Sequence, residues 1–188
     1  MDLHWHEIEP HQIHIRGVDS SLVTLVAKSL LATKETRSDP MAIAFTGTIA
    51  ISHQGSLNID FTSGFYGDLA TFRSELFAIR NGELRQAGLN MEHFCLTLYP
   101  HQCGARSGIV VEGKYSSDLQ LYANPRPKHQ HGVSDLVLKE HEGICYNIHF
   151  AFRTSQIDPP HLDNTIKEID QLCAYIDSDQ NTSSEMST

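Results

Sequence analysis

Between Ile144 and Ile176 an alternating strand runs directly into an amphipathic helix, and no other stretch constrains the fold as much. Ile144, Tyr146, Ile148, Phe150 and Phe152 are apolar at every second position, with Cys145, Asn147, His149, Ala151 and Arg153 between them. A strand with one buried face reads this way, because successive side chains point to opposite faces of a sheet. Asp158 stands where an N-cap would, before a first turn opened by Pro159 and Pro160. Leu162, Ile166, Ile169, Cys173 and Ile176 then recur at intervals of four, three, four and three, which draws one apolar stripe. The pair predicts a sheet covered by a helix. It names no chemistry.

The rest of the chain repeats the strand signal with one helical interruption. Ile8 to Ile15 reads as an edge or irregular strand because Pro10 interrupts it. Leu22 to Ala27, extending toward Leu31, is a more buried strand, and Met41 to Ile51 a third, in which Gly47 marks a bulge or a close approach. Leu57, Ile59 and Phe61 alternate in a fourth. Ser63-Gly-Phe-Tyr-Gly67 breaks that pattern, Asp68 can cap a helix, and Leu69, Phe72, Leu76 and Ile79 form its stripe. Arg80 suits the C-terminal dipole and Gly82 the left-handed cap. Further strands are expected at 84–90, 92–99, 109–115 and 133–139, with hairpin chemistry at 100–104 and a Pro-rich surface loop at 125–132. No internal repeat is apparent. The expectation is one α+β domain over 1–177, a large, mostly antiparallel sheet with helices near 68–81 and 159–177 packed on it. Residues 178–188, without aromatic or aliphatic core formers other than Met186, are expected to be a disordered tail.

Bulk properties exclude several functions. A formal net charge of -9 argues against non-specific binding to nucleic acid or to an anionic membrane. The start, MDLHWHEIEP, has neither the basic end nor the apolar run of a secretory signal. No stretch approaches the roughly 18 apolar residues that span a bilayer. A cytoplasmic protein with reduced cysteines is expected, neither on a membrane nor on nucleic acid.

Twelve histidines are the compositional oddity. His4, His6, His11 and His14 cluster near the start, and His129 and His131 form an HxH. On a strand both rings of an HxH share one face, as two metal ligands would. A site also needs a third ligand at defined spacing, which the sequence does not supply, so exposed imidazoles are expected and no metal or cofactor is assigned. Cys103, near His101 and beside Gly104, is the one thiol placed for a cysteine hydrolase, but it sits in a loop without the features that lower a thiol pKa. Glu140 and Glu142 flank a turn and are expected to solvate it. Phe65-Tyr66, at a loop–helix junction, fits either core packing or an interaction hot spot.

Gly67-Asp-Leu-Ala-Thr-Phe72-Arg-Ser-Glu75-Leu76, Ala87-Gly-Leu-Asn-Met-Glu92-His-Phe-Cys-Leu96, Gly108-Ile-Val-Val-Glu-Gly113 and His149-Phe-Ala-Phe-Arg-Thr-Ser-Gln156 follow one another before the last helix. Over roughly Met41 to Ile176 this order resembles the WapI-type bacterial immunity proteins and related small bacterial domains. The resemblance implies a protein that binds and blocks a cognate toxin without catalysis, and it carries over no individual residue. The function expected is therefore non-enzymatic protein binding, with a basic toxin as the partner an acidic chain would suit. Phe65, Tyr66, Asp68, His129, His131 and Glu140 are the expected partner-binding residues. The alternative is a small metal-dependent or cysteine hydrolase using the loop histidines.

Overall fold

A computed structural model of the chain describes residues 3–33, 40–52, 57–103, 106–116, 147–155 and 160–184. Its elements run β1 (His4–Arg16), β2 (Leu22–Ala32), β3 (Ala42–Ile51), β4 (Leu57–Phe65), α1 (Leu69–Arg80), β5 (Ala87–Asn90), β6 (Phe94–Cys103), β7 (Arg106–Ser116), β8 (Asn147–Thr154) and α2 (His161–Ser184). The fold is α+β, and every strand pairing is antiparallel. The strands divide into two sheets of four, ordered β1-β2-β3-β4 and β5-β6-β7-β8. A single large sheet is the simplest reading of the alternation, but α1 ends the first meander and β5 starts a second.

Alternation along each strand sends one set of side chains inward. Ile13, Val23, Leu25, Phe45 and Ile49 of the first sheet share one core with Phe94, Leu96, Leu98, Val111 and Phe152 of the second. Phe61 joins the sheets, its ring stacked on Phe94 at 4.6 Å and 5.7 Å from Tyr115. The ladder runs unbroken through Gly47, opposite Phe61, and a Cβ there would overlap the Phe61 ring. Gly47 therefore marks a close approach and no bulge. Gly113 stands opposite Phe150 in the same relation. The bulges lie elsewhere, between Glu7 and His11 around Pro10, and between Ala27 and Ser29. Pro10 is tolerated because β1 is an edge strand, where a missing N–H breaks little of the ladder. Pro100 is tolerated for a related reason. Strand β5 stops opposite Leu98, so among the described residues β6 has one neighbour at that point, and it continues to Cys103, through what reads as a loop.

Asp68 caps α1, accepting from Ala70 N–H at 2.9 Å and from the Thr71 hydroxyl at 2.6 Å, and Gly82 follows the helix at φ 74°. In α2 the expected stripe is buried or half-buried, joined by Leu172 and Thr165, and the helix continues past Asp177 to Ser184. The helices run antiparallel, since Arg73 pairs with Asp170 and Arg80 with Asp163. Phe77 lies between the two arginines, each guanidinium 5.8 Å from its ring. The Asp158 cap, the strand at 133–139 and the loop at 125–132 fall outside the described residues.

Among the described residues the element order, four strands and a helix, occurs twice, and the hydrogen bonds repeat with it. Glu75 of α1 accepts from Gly88 N–H of β5 at 3.0 Å, and Glu168 of α2 accepts from His14 N–H of β1 at 2.6 Å. Glu92 N–H donates to the Gly64 carbonyl at the β4 edge, and Val18 N–H donates to the Arg153 carbonyl at the β8 edge. Leu69, Phe72, Leu76 and Ile79 are buried in α1, and Leu162, Thr165, Ile169 and Leu172, at identical spacing, in α2. The described elements thus form two similarly arranged halves, each lending its helix to the first strand of the other. No repeat is visible in the sequence because equivalent positions keep geometry and burial more than identity.

Each helix closes a sheet edge that would otherwise offer bare amides to another chain. On β1 the closure is dense. Besides the His14 amide, Glu168 takes His14 Nδ1–H at 3.1 Å and Arg16 Nη1–H at 3.3 Å, while the Thr165 hydroxyl donates to the His14 carbonyl at 2.6 Å. Replacing Glu168 with Ala leaves a partly buried amide and an arginine without their acceptor, and is expected to lower stability by about 2–3 kcal/mol. Urea unfolding of Glu168→Ala and Glu168→Gln checks this, the glutamine recovering part of the loss because it still accepts from the amide.

Candidate functional site

The junction between β4 and α1 builds a recess among the described residues. Strand alternation turns Phe65 inward, where it is 4% exposed, with Phe45 edge-on at 6.5 Å. The next residue, Tyr66, must turn outward, and it is 62% exposed. Its ring lies over Gly64, where a Cβ would come within 3.0 Å of it. Asp68 follows at the helix cap. Opposite, Met41 enters β3 with 58% of its surface exposed, held by its N–H to the Leu31 carbonyl at 2.8 Å. Helix α2 closes the third side with Cys173, Ile176 and Asp177.

Together these segments line a groove of about 420 Å³. Its lining includes the buried apolar residues Ile43, Leu69 and Ile176 and the acidic residues Asp68 and Asp177. The Thr71 hydroxyl, with the Ala70 and Thr71 amides, holds the Asp68 carboxyl below the usual carboxylate range against the cost of burial, so it stays ionised at neutral pH. Burial, then the charges of Asp170, Asp177 and Asp68, push the Cys173 thiol above its ordinary range. That thiol is a protonated wall group, with none of the thiolate character a nucleophile needs. The groove can bind an apolar group that carries positive charge.

Of the residues marked out by sequence, Tyr66 and Asp68 meet here, while Phe65 belongs to the core. His129, His131 and Glu140 lie outside the described residues. Met41, Cys173 and Asp177 carried no distinctive signal. Met41 opens a strand, Cys173 fits the helix stripe, and Asp177 stands where the helix was expected to end. His101 is exposed on β6, and Cys103 ends that strand. The N-terminal histidines are spread along β1, where His14 bonds Glu168 and the His11 ring lies 4.4 Å from that of Tyr175, tilted by 45°. Among the described residues no group of three His, Cys, Asp or Glu side chains converges to hold a metal ion.

Comparison with protein-family models, with curated proteins and with solved structures finds no match to this chain. Among the described residues no helix is long and apolar enough to cross a membrane.

Proposed function

We propose that this chain is a non-enzymatic protein-binding domain of the bacterial immunity type, which neutralises a basic partner toxin through the groove beside Tyr66. The observation that carries the reading is the exposure of Tyr66 and Met41 together at the mouth of a recess lined by acidic and buried apolar residues. A large aromatic and a methionine at a concave rim are the side chains that anchor protein interfaces. The net charge of -9 adds steering toward a basic partner. Cys95 and Cys173 are free thiols, which suits a reducing compartment such as the bacterial cytoplasm.

Co-expression with the products of neighbouring genes in a growth assay tests the proposal. Rescue from one toxic neighbour is expected, with rescue reduced at least about tenfold in the Met41→Ala, Tyr66→Ala double variant, the loss of two rim anchors. Failure to rescue against every neighbour, or turnover of a small substrate by the purified protein, would reject it.

A further inference from the structure

The two halves of the fold differ where the groove lies. At equivalent helix positions, Arg80 in α1 corresponds to Cys173 in α2, and Asp163 in α2 to Ala70 in α1. In the first pair the Arg80 guanidinium binds Asp163 through Nε at 2.6 Å and Nη2 at 3.2 Å, and stands over the Phe77 ring. In the second pair both residues are small, and both line the groove. One end of the helix pair therefore holds the protein's own arginine, between a carboxylate and an aromatic ring, where the other end has open space.

We propose that the groove takes the arginine side chain of a partner protein's segment, an assignment that rests on the protein-binding reading above. Asp68 and Asp177 supply the carboxylates, and the exposed Tyr66 ring supplies a face for the planar guanidinium. Met41 and Ile43 offer apolar surface for the aliphatic stem. No lysine or arginine among the described residues lines the groove to compete for the carboxylates. The α1 N-terminus does not turn the recess into an anion site, because Asp68 already takes the Ala70 amide. Its volume falls within the range of about 300–1,000 Å³ typical of binding pockets.

The test uses the full chain, isotope-labelled, and three capped tripeptides: Gly-Arg-Gly, the same peptide with neutral citrulline for arginine, and Gly-Leu-Gly. Amide chemical shifts are followed through each titration. Shifts concentrated at 66–70 and 173–177 are expected with the arginine peptide, and an apparent Kd about fivefold weaker with citrulline. Asp177→Asn should weaken arginine binding by a similar factor without changing the melting temperature, since Asp177 is exposed. Scattered shifts, equal affinity for citrulline, or stronger binding of the leucine peptide would overturn the assignment. If charge preference is absent while toxin rescue still depends on Tyr66 and Met41, the arginine assignment falls and the binding reading stands. If arginine is preferred but no neighbour is neutralised, the toxin reading falls and the arginine site stands.

Discussion

A chain truncated after Ser155 is expected to lose its cooperative thermal transition altogether. Helix α2 places Leu162, Ile166, Ile169, Leu172 and Ile176 in the common core, each 7% exposed or less. At about 1.5–3 kcal/mol per fully buried aliphatic side chain, those five contribute on the order of 7–15 kcal/mol, about the whole net stability of a typical domain. The truncation also strips Glu168 and Thr165 from the β1 edge. Circular dichroism during heating measures the effect, with Ile169→Asp as a point variant that keeps the chain full-length. A sharp melt in both proteins would refute the packing described for α2. Removing residues 185–188 alone should change the midpoint little.

Gly47→Ala and Gly113→Ala are the second pair of large effects, expected at about 2–3 kcal/mol each, with the double variant unfolded or molten. An alanine Cβ at either position overlaps the phenyl ring directly opposite. Phe61 cannot swing away cheaply because it is stacked between sheets on Phe94 and near Tyr115. Phe150 is held by Phe94 at 6.3 Å and Phe152 at 6.2 Å. If overlap is the cause, Phe61→Leu should recover part of the loss in the Gly47→Ala background while destabilising the parent. Denaturant midpoints for the four proteins of that cycle decide it, and independent, additive effects would rule out the overlap.

The sequence shows local elements well because their causes are local. Asp68, the Leu69–Ile79 stripe and Gly82 mark α1 to within a residue at each end. The alternation through Phe152 and the stripe from Leu162 to Ile176 also show β8 and α2, but the expected helix end at 177 falls short, since α2 runs to Ser184 through residues read as a tail. Division into two sheets is not legible, because alternation shows that a strand has a buried face without showing which strand lies beside it. The duplicated architecture is hidden for a similar reason. Glu75 and Glu168 look like ordinary surface residues of two helices, and their role appears only when each meets an edge amide. At the groove, Tyr66 and Asp68 were accessible because they adjoin in sequence at a visible helix start. Met41, Cys173 and Asp177 come from distant segments, and only the tertiary fold brings them to the same recess.

The closure of β1 by α2 also has a consequence in time. The His14 amide and its Glu168 acceptor lie 154 residues apart in the chain. During synthesis at about 5–20 residues per second, β1 therefore waits about 8–30 s for its cover to be made. Throughout that interval the β1 rim stays unsheathed beside other nascent copies. The Glu7, Glu9 and Pro10 of that rim are residues that discourage a stray strand from adding. A ribosome that stalls before α2 is complete leaves the β1 edge uncovered, which makes this helix a timing element in biogenesis as well as part of the core.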